Sequence, residues 1–404
     1  MNSKVLSNEK KISIAVISPF VVLNIQLSLS IIFDLLGTPL EEILQVSSKI
    51  IVGALYVYAF FEVAKRVKIK LIYIYLVTIV VYLTNIIIFS HHELTQIKNV
   101  INIFFFSLPS FIYALSIRDI LVFKSVLVKA SIINFVIGTL LTILILLGIT
   151  SLHDSYSMSL SYYMLLPSIL FLDSFIDKFN FKYLLSFIVS VSIIFLIGAR
   201  GPLLCIAVFY ILKTIKNKKT YIYIFNILIF IFGVTILVNI KKISLFLYNK
   251  FMLYGINSRT LFLLSRGGVY LSGREIIFDA AVQTIYRNPL IGIGLFGDRY
   301  ILDGVYVHNI ILEILLNFGV AFGGIIILIM NFLIIYKLIV KKHSEYNIFI
   351  IWISLGFVKF FYSSSYLTDY SFWIFIGILL NSRLRHSKEQ FIEKQDIDLD
   401  NISP

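Results

Sequence analysis

The chain has one cysteine, Cys205, among 404 residues, and only 14% of its residues are charged. A single thiol excludes a disulfide-stapled secreted scaffold. So little charge, set against so much apolar surface, excludes intrinsic disorder. It also excludes an ordinary soluble enzyme, in which about 25% of residues are charged. The apolar share is 59% and the mean hydropathy +0.94. That composition belongs to an integral membrane protein with many spans.

A membrane helix takes about 20 apolar residues, because about 30 Å of hydrocarbon is crossed at about 1.5 Å per residue. This length places spans near 12–33, 43–64, 71–89, 100–117, 126–149, 157–172, 183–198, 202–212, 221–240, 319–340, 348–366 and 370–381. The expected fold is all-α and polytopic, with twelve helices in one membrane domain over 1–404. Lys10 and Lys11 precede the first span, but no A-x-A-like cleavage site follows it, so it reads as a retained helix.

The net charge of +13 would suggest nucleic acid in a soluble protein. In a membrane protein the distribution of the cations decides. With the N-terminus inside, 22 of the 35 Lys and Arg fall in inner segments, including Lys65-Arg66-Val67-Lys68-Ile69-Lys70, Arg118, Lys213 and the tail 382–404. Short outer segments hold only Lys98 and Arg200. The bias places both termini in the cytoplasm and leaves nucleic acid without a role. Lys49, Lys129 and Lys359 lie within spans, where a transport path, snorkelling or a partner acid would account for them.

The remaining eight cations share residues 241–307, a long extracytoplasmic loop between the ninth and tenth spans. Ser272-Gly273-Arg274-Glu275 has the capping-box spacing, and Ile276, Ile277, Ala280, Ala281, Thr284 and Ile285 recur at helical intervals. The pattern predicts an amphipathic helix over 273–287 near the membrane surface, ended by Asn288-Pro289. Gly292-Ile293-Gly294-Leu295-Phe296-Gly297 spells G-x-G-x-x-G, but a dinucleotide cradle needs a strand before it. A turn whose backbone lies close to another surface is the preferred reading.

His308-Asn309 opens a further apolar helix running through Glu313 toward Gly319. An imidazole there could serve as a base or simply as an interfacial polar group. Arg259, Arg266, Arg274, Arg287 and Arg299 outnumber Lys241, Lys242 and Lys250 in the loop. Guanidinium binds phosphate oxygens in planar, bidentate fashion, so the loop is either a lipid-headgroup surface or a diphosphate pocket. Arg200, in Gly198-Ala199-Arg200-Gly201-Pro202, opens a span of only about 11 apolar residues, about 16 Å of helix. It is expected below the outer surface, as a functional group or in a structural ion pair.

These residues resemble a known family, the O-antigen ligases and Wzy-type polysaccharide polymerases of bacterial membranes. The likeness rests on Gly198-Ala199-Arg200-Gly201, Ser272-Gly273-Arg274, Pro289-Leu290-Ile291-Gly292-Ile293-Gly294 and His308-Asn309, in that order, within 183–340. The ligase signature H-[NSQ]-x9-G-x-x-[GTY] is met as far as Gly319, but Phe322 stands at its last position and Gly323 follows one place late. The resemblance implies a GT-C-like fold in the bacterial cytoplasmic membrane. It also implies a glycosyltransferase that joins undecaprenyl-diphosphate-linked repeat units into O-antigen or capsule at the outer face. No cofactor, metal or nucleotide sugar is implied. The implied partners are the lipid-linked oligosaccharide, membrane lipids and a polysaccharide chain-length regulator. On this reading Arg200 and Arg274 stabilise the diphosphate, Arg287 and Arg299 assist in binding it, and His308 receives or orients the acceptor hydroxyl.

Other classes remain. A ligase would hand finished glycan to a different acceptor. A lipid-linked oligosaccharide flippase, or another transporter, would suit the span count, although the halves show no repeat of the kind carriers usually have. Metal-dependent hydrolysis would need more than His91-His92-Glu93 and His153-Asp154, which lack H-E-x-x-H spacing.

Overall fold

The computed structural model describes residues 3–35, 37–90, 93–150, 158–197, 199–216, 239, 241–250, 252–253, 259–266, 274–341 and 343–384. Among the described residues the regular elements are all helical. They are α1 (Ser3–Ile32), α2 (Pro39–Val67), α3 (Ile69–Ile88), α4 (Glu93–Asn102), α5 (Leu108–Ser116), α6 (Ile120–Leu146), α7 (Met158–Lys178) and α8 (Phe181–Ile197). They continue as α9 (Arg200–Ile215), α10 (Arg259–Arg266), α11 (Arg274–Arg287), α12 (Gly297–Ile301), α13 (Ile310–Val340), α14 (His343–Gly356) and α15 (Tyr370–Leu380). A π-helical turn, Ile103–Ser107, joins α4 to α5, and a 3-10 turn, Val358–Phe361, follows α14.

Eight stretches among the described residues are long and apolar enough to cross a membrane: Val5–Ile32, Pro39–Val67, Ile69–Ile88, Asn99–Ser116, Ile120–Leu146, Met158–Lys178, Ile310–Val340 and Ser344–Phe361. Their exposure shows what solvent they require. The most apolar window of α3 has a hydropathy of 2.3, yet only 11% of it is buried by protein. Ile72, Leu76, Val80, Leu83 and Ile87 all face outward. An apolar face this wide calls for hydrocarbon around it. In contrast, 78% of the α7 window is enclosed by protein.

Several expected spans differ. Those near 183–198, 202–212 and 370–381 are helices of 17, 16 and 11 residues, short of the about 20 that a crossing takes. The expected span 221–240, apart from Asn239, lies outside the described residues. The helix opened by Arg200 runs past the expected 11 residues because Lys213, expected to end it, is buried within it. Lys213 Nζ donates to Asp173 at 2.6 Å and lies 2.8 Å from Asp177. The expected span 348–366 loses its helix at Gly356, and residues 362–369 are irregular.

The chain forms two compact units. One comprises Met1–Pro19, Ile51–Leu127 and Arg274–Pro404; the other comprises Phe20–Ile50 and Val128–Gly273. In the first, α15 lies tight on α5: a Cβ on Gly377 would stand 2.6 Å from Ala114 Cβ and from Phe111 O. Small residues permit such approach between membrane helices. The Asn381 amide then donates to the carbonyls of Ala114 (3.1 Å), which also accepts from Ile117 N–H, and Ile117 (2.7 Å), at the end of α5. In the second unit α7 reverses into α8 at Phe179 (φ 46°). Ile31, Leu141 and Leu160 form a buried cluster there.

Candidate functional site

Helix α11 starts at Arg274 and ends at Arg287, as the apolar spacing predicts. Ala281 and Ile285 are buried against Val307 and Leu316, with Ile277 and Phe278 alongside. Asp279, Gln283 and Arg287 are exposed on the other side. Ile276 breaks the pattern, since it is exposed. The proposed cap, Ser272, and Gly273 lie outside the described residues.

The glycine-rich turn after α11 is fitted to a break in α13. Gly319 has φ 72° and ψ 176° inside an otherwise continuous helix, a conformation that is essentially glycine-only. The break frees backbone groups that the turn takes up. Ile293 N–H donates to Leu316 O (2.7 Å), Gly294 N–H to Asn317 O (3.2 Å), and Val320 N–H to Pro289 O (2.6 Å). A Cβ on Gly292 would lie 2.2 Å from Leu316 O, and one on Gly319 would lie 2.4 Å from Leu290 O. The next amide, Leu295 N–H, donates to the Asn85 side chain of α3 at 3.2 Å. The G-x-G-x-x-G amides thus engage protein, as a close-approach turn requires.

His308 follows with φ 59°, a left-handed conformation in which histidine is enriched. Asn309 then caps α13, its Oδ1 accepting from Ile311 N–H (3.0 Å) and Leu312 N–H (3.2 Å). Cap and reversal together turn the imidazole onto Tyr306, with ring centroids 4.0 Å apart. Its Nδ1 is buried and meets no protein partner. Burial first, and then the charge of Arg274, push the His308 pKa down to about 4. The imidazole is therefore neutral across the physiological range.

Arg274 Nη1 donates to Tyr362 O at 2.7 Å, tying the start of α11 to the 362–369 segment. Ser364 N–H donates to Tyr306 Oη (3.3 Å), and Ser364 Oγ donates to Asp369 Oδ2 (2.6 Å). Asp369 is enclosed, which favours its neutral form. Lys359, together with hydrogen bonds from Lys359, Ser364 and Ser371, outweighs this and holds the carboxyl below its ordinary range. Among the three readings of Lys359, the partner acid is what the structure displays.

Arg299 is placed differently. Its side chain is 9% exposed. Nη1 donates to Asp298 (2.6 Å) and Glu313 (3.2 Å), and Nη2 to Ser365 Oγ (2.6 Å). Phe296 covers the guanidinium, with its ring centroid 4.8 Å away. Burial opposes the charge, but Asp298 and Glu313 outweigh burial and raise the pKa. The family resemblance assigns Arg299 to the substrate, whereas its donors are committed to two carboxylates and a serine.

Arg200 is the first residue of α9 and half-buried in the second unit. Arg287 is exposed at the end of α11. His91, His92, His153, Asp154 and Gly198 lie outside the described residues. Phe322, the departure from the ligase signature, is 59% exposed, while a Cβ on Gly323 would lie 3.0 Å from Ile314 O.

Sequence reasoning missed Tyr306, Asp298 and the 362–369 segment. The signal was Ser363-Ser364-Ser365 with Asp369, a polar run that interrupts an apolar stretch. What fold and site together define is a polytopic membrane protein, helical throughout its described regular elements, with an arginine and a half-buried neutral histidine in one cluster. Against family models, curated proteins and solved structures, the chain matches none.

Proposed function

We propose that the protein joins oligosaccharide repeat units carried on undecaprenyl diphosphate into a surface polysaccharide, O-antigen or capsule. The reaction takes place at the outer face of the bacterial cytoplasmic membrane, with twelve spans and both termini inside. The observation that carries this reading is a half-buried His308 imidazole, its Nδ1 without a protein partner, lying within the field of Arg274.

In this reaction the acceptor hydroxyl attacks the anomeric carbon of the donor, and the carbon–oxygen bond to the diphosphate breaks. Negative charge grows on the leaving oxygens. A guanidinium fixed beside them stabilises the transition state more than the ground state. The neutral imidazole accepts the hydroxyl proton. An arriving diphosphate offsets the charge of Arg274 that lowers the His308 pKa, so substrate itself makes the base stronger. Attack opposite the leaving group inverts the anomeric configuration. Arg200 enters this reading through the resemblance alone, and the exposed Arg287 as a headgroup or diphosphate contact.

The test is reconstitution of purified protein with lipid-linked repeat units, without ATP, nucleotide sugar or added metal. A ladder of polymer lengths supports the reading. Transfer only to a separate acceptor replaces it with a ligase, a reading that Gly319 favours through its place in the ligase signature, with nine residues between it and Asn309. Transbilayer movement without bond formation replaces it with a flippase. Arg274→Ala, His308→Ala and Arg200→Ala should each strongly reduce the ladder while the protein still reaches the membrane.

A further inference from the structure

In the first unit, where α2 ends and α6 is about to begin, lies a cavity of about 70 Å³. Arg66, Lys70, Arg118 and Arg383 line it, together with the apolar side chains of Val67, Leu115 and Leu380. Beneath them Glu9, 2% exposed, accepts from Arg66 Nη1 at 2.5 Å. Its other oxygen accepts from the backbone N–H groups of Arg118 (2.6 Å) and Asp119 (2.9 Å). Arg66 Nη1 also donates to Ser116 O at 3.0 Å.

The single carboxylate is thus fully used in building the floor. Among the described residues no acid forms an ion pair with Lys70, Arg118 or Arg383. The cations also act on one another: burial first, and then Arg66 and Arg383, lower the pKa of Arg118. Four cations around one carboxylate leave an uncompensated positive charge that an anion would relieve. The inside bias of lysine and arginine explains why cations occur on this side. It does not explain why they converge on a cavity, or why a buried glutamate holds two of them in place.

We propose that this pocket binds a phosphate group, presented by the headgroup of an anionic phospholipid. Guanidinium pairs suit phosphate oxygens in bidentate fashion. Basic pockets between membrane helices on the cytoplasmic side are a recurrent headgroup site. The apolar wall of Val67, Leu115 and Leu380 beside the cations suits a lipid better than a free ion. The pocket is independent of the proposed glycosyl transfer, and its test needs no activity.

The full-length protein is reconstituted in nanodiscs of phosphatidylcholine, with or without phosphatidylglycerol. Retained lipid is then counted by native mass spectrometry after release, and thermal stability is measured in parallel. Wild type is expected to retain phosphatidylglycerol over phosphatidylcholine. Each basic side chain near an anionic headgroup contributes about fivefold in affinity, so Arg118→Gln with Arg383→Gln should weaken retention about thirtyfold. Lys65→Gln, at an exposed cation outside the cavity, should leave it unchanged. Inorganic phosphate is the second probe: protection by it without lipid preference keeps the phosphate site but assigns it to a soluble ligand. Equal retention by wild type and the double variant, with both folded, overturns the proposal. So does equal retention of the two lipids combined with no response to phosphate.

Discussion

Arg274 and Arg299 share one unit and lie near the same tyrosine, yet their surroundings differ in kind. Arg299 is enclosed by Asp298, Glu313, Ser365 and the Phe296 ring. Arg274 is anchored to one backbone carbonyl, and its charge acts on Tyr306 and His308 rather than on an acid. A guanidinium held by carboxylates shapes the protein around itself. One held by a neutral carbonyl keeps its charge for an incoming anion. Ser364 and Ser365, adjacent in sequence, divide the two clusters: Ser364 joins the Tyr306–Asp369 side, Ser365 the Arg299–Glu313 side.

The contrast breaks most visibly at Arg299. Arg299→Ala leaves two buried carboxylates without their cation, and should destabilise the protein by about 3–5 kcal/mol. Thermal unfolding in detergent, together with the amount reaching the membrane, measures it. Next comes Arg274→Ala, which should leave both readouts near wild type while the proposed polymerisation slows about 100- to 1,000-fold. Were both variants to fail in the same way, by unfolding, the two arginines would not differ in role. Gly319→Ala tests the backbone that positions both clusters. Its forced left-handed conformation should cost about 1–3 kcal/mol, more if Leu290 O cannot move, and is read from the melting temperature.

The smallest effect sharpens the comparison furthest. An exposed histidine protonates near 6.5, but His308 does so near 4. Only neutral imidazole accepts a proton, so kcat/KM in the reconstituted system, which reports the free enzyme, should stay flat from neutral pH down to about 5 and fall as pH approaches 4. Stability carries the same sign. The unfolded chain takes up this proton near 6.5 and the folded chain near 4, so this contribution declines as pH drops through that window. In Arg274→Ala a like charge is gone, and the acid limb of any residual activity should move upward slightly, since burial is the larger cause. An acid limb of kcat/KM near 6.5 in the wild type would mean that His308 is not the base.

Much of the helical layout was legible, because lipid-facing helices advertise themselves through long apolar runs such as Leu71 to Ile88 in α3. The extent of α11 was legible too, since amphipathic spacing and Asn288-Pro289 are local signals. Gly292 and Gly294 announced a close approach without naming the surface, which turned out to be a break in α13 at Gly319. The fate of each arginine was not legible. Whether a cation meets Asp298 and Glu313 or a bare carbonyl depends on which distant segment lies opposite, and helical periodicity does not encode that. The end of the span near 366 was misplaced for a similar reason: Ser363, Ser364 and Asp369 exchange helix for local hydrogen bonds and a pair with Lys359.

The first unit has a consequence for how the chain is made. Its parts come from the beginning and the final third of the sequence, with most of the second unit synthesised between them. The Asn85 amide in α3 waits for Leu295, and the Ile117 carbonyl after α5 waits for Asn381. The first of these pairs is separated by 210 residues and the second by 264. The early helices therefore enter the bilayer with vacant hydrogen-bonding positions that only late translation fills. A ribosome stalled before Asn381 would leave a protein that is inserted but unfinished, and exposed to membrane quality control.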